Sequence, residues 1–439
     1  MARRTASGRI VYATELREAM TKYLPHRGLP LQSADGRVRW TPRLLVMTAV
    51  QMAWVSATAL ADAFATAREA TVAMYDSRRR PGETLAGFLE ALAKASDALL
   101  EVVVAALRRA VPKVAGADWT FRGWVVMGVD GTRIDCPRTT ANEKALGCAG
   151  KTGTAPQMLL TTLFHVATGL PWAWRRGRGD GSERADLTAM LGVLPALTLL
   201  LADAGYVGYA MLQALGTAGH AFIVRVGCNV HLLEGLGYAV RETKGQVYLW
   251  PQGHRDQPPL VLRLVRVWSG KYLVSMLTNL TTAQLSNRAV ADLYRQRWGI
   301  ELLYRSLKRT MRGHKMLSER PDHAALELDW TMVGLGLLGL MAAEATSRGG
   351  RGGRHWSLAL AQQAVRQAMR RLRVPRPAGG LRGRLRRCVK DRYIRHRPKA
   401  ARYWPRKKAG SPPGEPKIRM ATREEIRQAQ AFRHATTPN

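Results

Sequence analysis

Cysteine is scarce in this sequence. Its four cysteines, Cys136, Cys148, Cys228 and Cys388, are widely spaced and form no CxxC pair. That excludes a disulfide framework and a zinc ribbon, and it fits a reducing interior. Acidic side chains are scarce as well, 32 against 68 lysines plus arginines, which leaves a formal net charge of +36 and a pI near 11.2. Such an excess implies a polyanionic partner, nucleic acid first, although a GC-rich genome would itself inflate arginine. The first twenty residues, MARRTASGRIVYATELREAM, contain no apolar core of the signal-peptide kind. The longest apolar runs, Leu187–Ala202 and Thr331–Ala343, are too short for a bilayer or are broken by proline and glycine. The expected product is soluble and cytoplasmic, associated with the nucleoid, with no membrane partner. Internal repeats and a clear helix-turn-helix signature are also missing.

What is present is enough chain, 439 residues, for two to four domains with a sizeable core. Residues 1–118 read as helical: Thr41–Pro42 opens a helix from Arg43 to about Ala65, and Thr84 to Arg109 forms a second. A basic turn, Ser77 to Gly82, separates them. This part suits a DNA-end reader or a dimerisation module. From 119 to 219 strands alternate with helices. Trp124–Ile134, Gln157–Val166, Leu170–Trp174 and Leu197–Leu201 read as strands, the first ending at Asp130 and the last at Asp203. Ser182 to Leu194 and Val207 to Leu215 read as helices. The result is an α/β arrangement with a partly antiparallel sheet, in which reactive groups gather at strand C-termini.

Residues 220–284 carry β-type segments, Phe222–Val226, Gln246–Trp250, Leu260–Trp268 and Tyr272–Thr278, and read as an all-β insertion. Residues 285–346 return to helix, with an apolar helix over Ala324–Ala345. From 347 to 439 the chain turns basic. One helix is expected from His355 to Leu372, and beyond Pro375 a proline-broken tail interleaves Tyr393, Tyr403 and Trp404 with cations. Such a tail is expected to be partly disordered and to bind phosphate backbones by counterion release; a solubilising tail is the other reading.

The stretch DLYRQRWGIELLYRSLK, Asp292 to Lys308, has the pattern of one amphipathic helix. At about 100° per residue it places Tyr294, Arg297, Glu301 and Lys308 on one side. That face can hold a metal ion with Glu301 and phosphate oxygens with Arg297 and Lys308. The same spacing also suits a solvated, salt-bridged surface. Three acids stand out by position: Asp130 and Asp203 at strand ends, and Glu301 on this helix. A carboxylate at the end of a buried strand is costly unless paired or bound to a cation. Three converging carboxylates would suit two Mg²⁺ ions about 3.5–4 Å apart, as in phosphoryl transfer. Asp135, Asp180, Glu183 and Asp186 are nearby rivals.

Taken together these segments resemble bacterial DDE transposases of the insertion-sequence-4 type. In that family the last catalytic helix carries Tyr-x2-Arg-x3-Glu-x6-Lys, matched here by Tyr294, Arg297, Glu301 and Lys308 without a spacing error. GVDGTRI around Asp130 and LLLADAGYVG around Asp203 match the two aspartate motifs, and FHVATGLP with GSERADL matches the central region. The resemblance covers roughly residues 119–345. It implies an RNase H-like catalytic core interrupted by the all-β insertion, with an N-terminal helical domain for DNA-end binding and a basic C-terminal region. It also implies Mg²⁺ (or Mn²⁺), two ions, on Asp130, Asp203 and Glu301, with Tyr294, Arg297 and Lys308 on DNA phosphates. The implied function is binding the ends of an insertion sequence, metal-dependent cleavage, and strand transfer to target DNA by a homodimer in a synaptic complex. In hairpin-forming relatives an aromatic of the insertion stacks on a flipped base, for which Trp250 and Trp268 are candidates. An RNase H-like nuclease, or a transposase-derived DNA-binding protein that no longer cuts, would share much of this pattern; the intact acids speak against the latter.

Overall fold

The computed structural model describes residues 11–25, 28–31, 35, 37–75, 80–148, 154–239, 243–269, 272–311, 313, 315–347, 356–372, 380–390 and 414–436. In chain order the helices are α1 (Tyr12–Thr21), α2 (Pro42–Trp54), α3 (Leu60–Met74), α4 (Leu85–Ala115), α5 (Thr140–Leu146), α6 (Glu183–Met190), α7 (Tyr209–Thr217), α8 (Asn287–Gln296), α9 (Gly299–Arg305), α10 (Pro321–Ser347), α11 (Leu358–Arg370), α12 (Gly380–Arg386) and α13 (Arg423–Thr436). The strands are β1 (Val125–Asp135), β2 (Gln157–His165), β3 (Leu170–Arg178), β4 (Thr198–Ala202), β5 (Ala221–Val226), β6 (His231–Glu234), β7 (Gln246–Leu249), β8 (Leu260–Ser269), β9 (Tyr272–Thr278) and β10 (Lys417–Met420). The architecture is mixed α/β with a large mixed sheet. It divides into two compact units, Met1–Trp119 with Gly131–Ser182 and Gly299–Lys390, and Thr120–Asp130 with Glu183–Trp298 and Asp391–Asn439.

In the first unit the core is built on α10, whose apolar window is 94% buried. A helix apolar on every side must be covered on every side. Its length and composition would also pass for a membrane span, but here they serve burial within the protein. Gly334 lets α2 come close, since a Cβ there would stand 2.8 Å from that of Ala53. The Trp54 indole donates to the Gly334 carbonyl at 2.9 Å, and the Trp330 indole donates to Ser96 on α4 at 2.9 Å. Asp329, buried in α10, accepts from Trp174 at 2.9 Å and Arg176 at 2.7 Å on β3. The sequence reads as one helix from Arg43 to Ala65; the structure has two, α2 and α3. The Trp54 carbonyl is taken by the side chains of Gln362 and Arg366 on α11 instead of continuing the helical ladder. Conversely, α4 runs six residues past the expected Arg109, to Ala115.

The second unit holds a mixed sheet in the order β10-β6-β7-β8-β9-β5-β4-β1. β1, β4 and β5 are parallel neighbours, and β5 continues into the antiparallel run β9-β8-β7. The β-rich segment after residue 220 is therefore hydrogen-bonded onto the same sheet as β4. β10 pairs in parallel with β6, and α13 follows it, so part of the basic C-terminal region is built structure. Tyr393, Tyr403 and Trp404, and Ser77 to Arg79 of the basic turn, lie outside the described residues.

Candidate active site

β1 and β4 position the first two acids. Both begin with runs of buried apolar residues, and their register pairs Gly128 with Leu201. Two residues further along in each chain come Asp130 and Asp203, so the two carboxylates leave neighbouring parallel strands at the same level. Both are half-buried. β1 does not stop at Asp130 as expected; it runs on to Asp135, where the backbone accepts from Met316 at 2.8 Å. The Asp203 side chain accepts from the Gly205 amide at 2.9 Å, closing a tight turn. That turn is held from α6, a contact that local sequence patterning does not announce. Arg184 donates to the Gly205 carbonyl at 3.0 and 3.3 Å, and the Tyr206 hydroxyl bonds Glu183 at 3.3 Å.

Tyr294 and Arg297 reach this pair from α8. Ser286 caps that helix by accepting from the Ala289 amide at 3.3 Å. Arg263 of β8 steadies the approach to it, donating to Thr282 and to the Leu285 carbonyl at 2.9 and 2.8 Å. The Arg297 guanidinium stands 3.7 Å from the Asp130 carboxylate and 5.6 Å from the centre of the Tyr294 ring. Burial alone would lower the Arg297 pKa, yet Tyr294, Asp130 and Asp203 hold it above the usual arginine value. Burial raises the Tyr294 phenol, opposed by Arg297 and by Arg225 of β5, a residue the sequence reading passed over. Neither the Tyr294 hydroxyl nor the Arg297 Nε completes a well-aligned hydrogen bond among the described residues.

The single helix expected from Asp292 to Lys308 is broken. The amides of Arg297 and Trp298 bond three residues back, to Tyr294 and Arg295 at 3.0 and 3.3 Å, which tightens the chain out of the α ladder. α9 then starts at Gly299, and Ser306–Thr310 is a π-helical turn in which the Met311 amide reaches back to Ser306. The 100° projection therefore does not carry from Tyr294 to Lys308. Tyr294 and Arg297 belong to the second unit with Asp130 and Asp203, whereas Glu301 and Lys308 belong to the first. Glu301 is half-buried on α9. Lys308 is half-buried too, and burial pulls its ammonium down against the opposing pull of Asp135. Asp135 itself accepts from Gln157 at 2.8 Å. Of the other rival acids, Asp180 pairs with Arg178 at 3.1 Å.

The two tryptophans of the β-rich segment separate. Trp268 is 70% exposed on β8. Trp250 is 2% exposed, and its indole donates to the carbonyls of His254 and Gln257 at 3.1 and 2.7 Å. The expectation of a base-stacking face at Trp250 is thus corrected: both the ring and its donor are taken up in packing. Trp298 is 62% exposed at the break between α8 and α9.

Two hard carboxylates at adjacent strand ends suit a divalent ion in kind. Among the described residues, no group of three or more His, Cys, Asp or Glu side chains is placed to hold a metal.

Comparison with known proteins finds similarity to transposases. Residues 125–333 match the family model of the transposase DDE domain. Over 220 residues the chain is 28% identical to transposase InsG for insertion sequence element IS4 of Escherichia coli, covering 47% of this chain and 49% of that protein. The chain thus spans about half the length of the curated relative it matches. A cryo-EM structure of the piggyBac transposase synaptic complex with hairpin DNA aligns over 86% of this chain and 84% of its own, at 10% identity and a TM-score of 0.41, too low to support an argument. Over residues 125–333 this chain is thus similar to the transposase DDE domain, and part of it to an insertion-sequence-4 transposase.

Proposed function

We propose that this protein binds the ends of an insertion sequence as double-stranded DNA, cuts them, and joins them to target DNA by DDE chemistry. The observation that carries the reading is the side-by-side departure of Asp130 and Asp203 from neighbouring parallel strands, faced by Arg297. The match to the transposase DDE domain implies dependence on a divalent metal in general. The finer reading is two Mg²⁺ ions, replaceable by Mn²⁺, on Asp130, Asp203 and Glu301. When bound, they would supply activation of the attacking oxygen and stabilisation of the leaving one.

The chain's own groups do the rest. Arg297 and Lys308 hold phosphate oxygens beside the cut, and Tyr294 orients the strand between them. Trp268 offers an exposed face for an unstacked base. The parallel strands β1, β4 and β5 with the antiparallel pair β2 and β3 favour an RNase H-like core over 119–219 and 285–346, with 220–284 as its β-rich insertion. Residues 1–118 would read DNA ends, and the basic region 347–439 would add backbone contacts. Bringing two element ends together calls for a homodimer in the synaptic complex, acting in the cytoplasm at the nucleoid.

The test is Mg²⁺-dependent cleavage of end DNA by the wild type and by Glu301→Gln. The variant is expected to bind end DNA as the wild type does and neither nick nor join it. Nicking retained by Glu301→Gln would remove Glu301 from the reaction.

A further inference from the structure

The contact between Arg297 and Asp130 is poorly suited to a permanent ion pair. At 3.7 Å it is well beyond the 2.7–2.9 Å of a charge-assisted hydrogen bond. It is therefore Coulombic attraction without a fitted fork. The two side chains are nonetheless only 15% and 19% exposed, so the attraction is not dispersed into water. The Arg297 Nε is buried without a well-aligned acceptor among the described residues. Asp203, on the adjacent strand end, acts on the same guanidinium. Arg297 is thus held to Asp130 by charge and not by a fitted hydrogen bond.

We propose that Arg297 is the resting counter-ion of the Asp130–Asp203 pair, and that a divalent cation binding to those carboxylates must displace it, freeing the guanidinium for a DNA phosphate only once the metal is in place. The proposal rests on the reading of Asp130 and Asp203 as metal ligands. Its physical basis is competition for one negative potential. Two half-buried carboxylates on adjacent strand ends attract a cation, and Arg297 is one that the protein itself sets against them. A compact dication outcompetes a loosely held guanidinium, but it must overcome that guanidinium's attraction to the pair. Arg297 also lies at the C-terminal edge of α8, where the chain tightens before Gly299, so its side chain can turn without disturbing a helix interior. The arrangement couples metal loading to phosphate capture, since each frees the groups the other needs.

A fixed phosphate contact and a resting counter-ion make opposite predictions when DNA is absent. If Arg297 only grips DNA, removing it leaves metal affinity alone. If it occupies the cation's place, removing it tightens metal binding. The experiment is a Mn²⁺ titration of the full-length chain without DNA, read by electron paramagnetic resonance of free Mn²⁺, on the wild type, Arg297→Gln, Arg297→Lys and Asp130→Asn. Arg297→Gln is expected to bind Mn²⁺ at least about fivefold more tightly than the wild type, the lower end of typical coupling between sites. Arg297→Lys, which keeps the charge on a shorter reach, should fall between the two. Unchanged or weaker binding by Arg297→Gln, alongside loss of binding in Asp130→Asn, overturns the counter-ion role. Wild-type binding by Asp130→Asn overturns the metal-ligand reading instead, so the two failures are distinct. Should Arg297→Gln fail to fold by circular dichroism, Arg297→Lys carries the test: an affinity equal to that of the wild type overturns the proposal.

Discussion

The guanidinium of Arg255 lies 4.2 Å from the centre of the Trp250 ring. The ring is also met edge-on by Phe432 of α13 at 6.2 Å between centroids, and its indole nitrogen is committed to two carbonyls. Trp250 is therefore the place where the C-terminal helix locks onto the β-rich segment. Arg255 extends the same knot, donating to Glu425 at 2.6 Å, while its carbonyl accepts from Gln428 at 2.9 Å.

Replacing the two tryptophans of this segment should have opposite consequences. Trp250→Ala removes a buried ring and is expected to destabilise the protein by about 3–5 kcal/mol, read as a drop in denaturation midpoint. Trp268→Ala should stay within about 0.5 kcal/mol of the wild type, as exposed substitutions do. The same exposed substitution should lower end cleavage by about tenfold, the effect of losing one base-stacking platform. A cleavage rate unaffected by Trp268→Ala would leave Trp268 as an ordinary surface residue.

Glu425 holds β10 and α13 in place through Arg419, Arg255 and the Thr422 amide, and these partners keep its carboxyl at about 2, Arg419 being the foremost. A depressed carboxyl contributes stability above its unfolded value of 4.5 and loses that contribution as pH falls toward 2. Glu425→Gln is expected to speed hydrogen exchange of the Lys417–Met420 amides about tenfold at neutral pH. The difference from the wild type should shrink on acidification. Equal exchange in the two proteins at pH 7 would show that strand pairing alone secures the segment.

Glu327 gives the reverse pH dependence. Its carboxylate accepts from the Leu317 amide at 2.9 and 3.0 Å, and from the Ser318 amide and hydroxyl at 3.0 and 2.8 Å, which ties down the chain behind the π-helical turn. Burial raises its pKa nonetheless, outweighing those hydrogen bonds. A carboxyl raised in the folded state stabilises below its unfolded value, 4.5, and that contribution is lost as pH climbs through the folded value. The thermal midpoint of Glu327→Gln, compared with that of the wild type, should therefore improve between pH 4.5 and pH 7. A constant difference across that range would mean that Glu327 titrates alike in both states.

The two strands that carry Asp130 and Asp203 were legible in the sequence. VVMGV and LLLA are apolar enough to be buried strands, and an acid at the end of each buried run is conspicuous because burying charge is costly. Other features left no local trace. KIRM in β10 alternates polar and apolar residues but is only four residues long within a basic region, and it forms a strand through its pairing with β6. Arg184 on α6 reads as an ordinary helical cation until the Asp203 turn is brought to it. Helical projection failed over 292–308 because it assumes an unbroken ladder, and the ladder tightens at Arg297 and widens at Ser306.

The sequence by itself determined the order of the acidic and basic motifs, the charge that calls for a polyanion, and the strands apolar enough to be buried. These depend on residue type and short-range periodicity, which the chain carries in one dimension. Only the tertiary structure decided that Asp130 and Asp203 leave neighbouring strands at one level, that Arg297 stands against Asp130, and that Trp250 is buried while Trp268 is not. Each of these depends on pairing between segments tens of residues apart, where register and burial are set by the partner strand or helix.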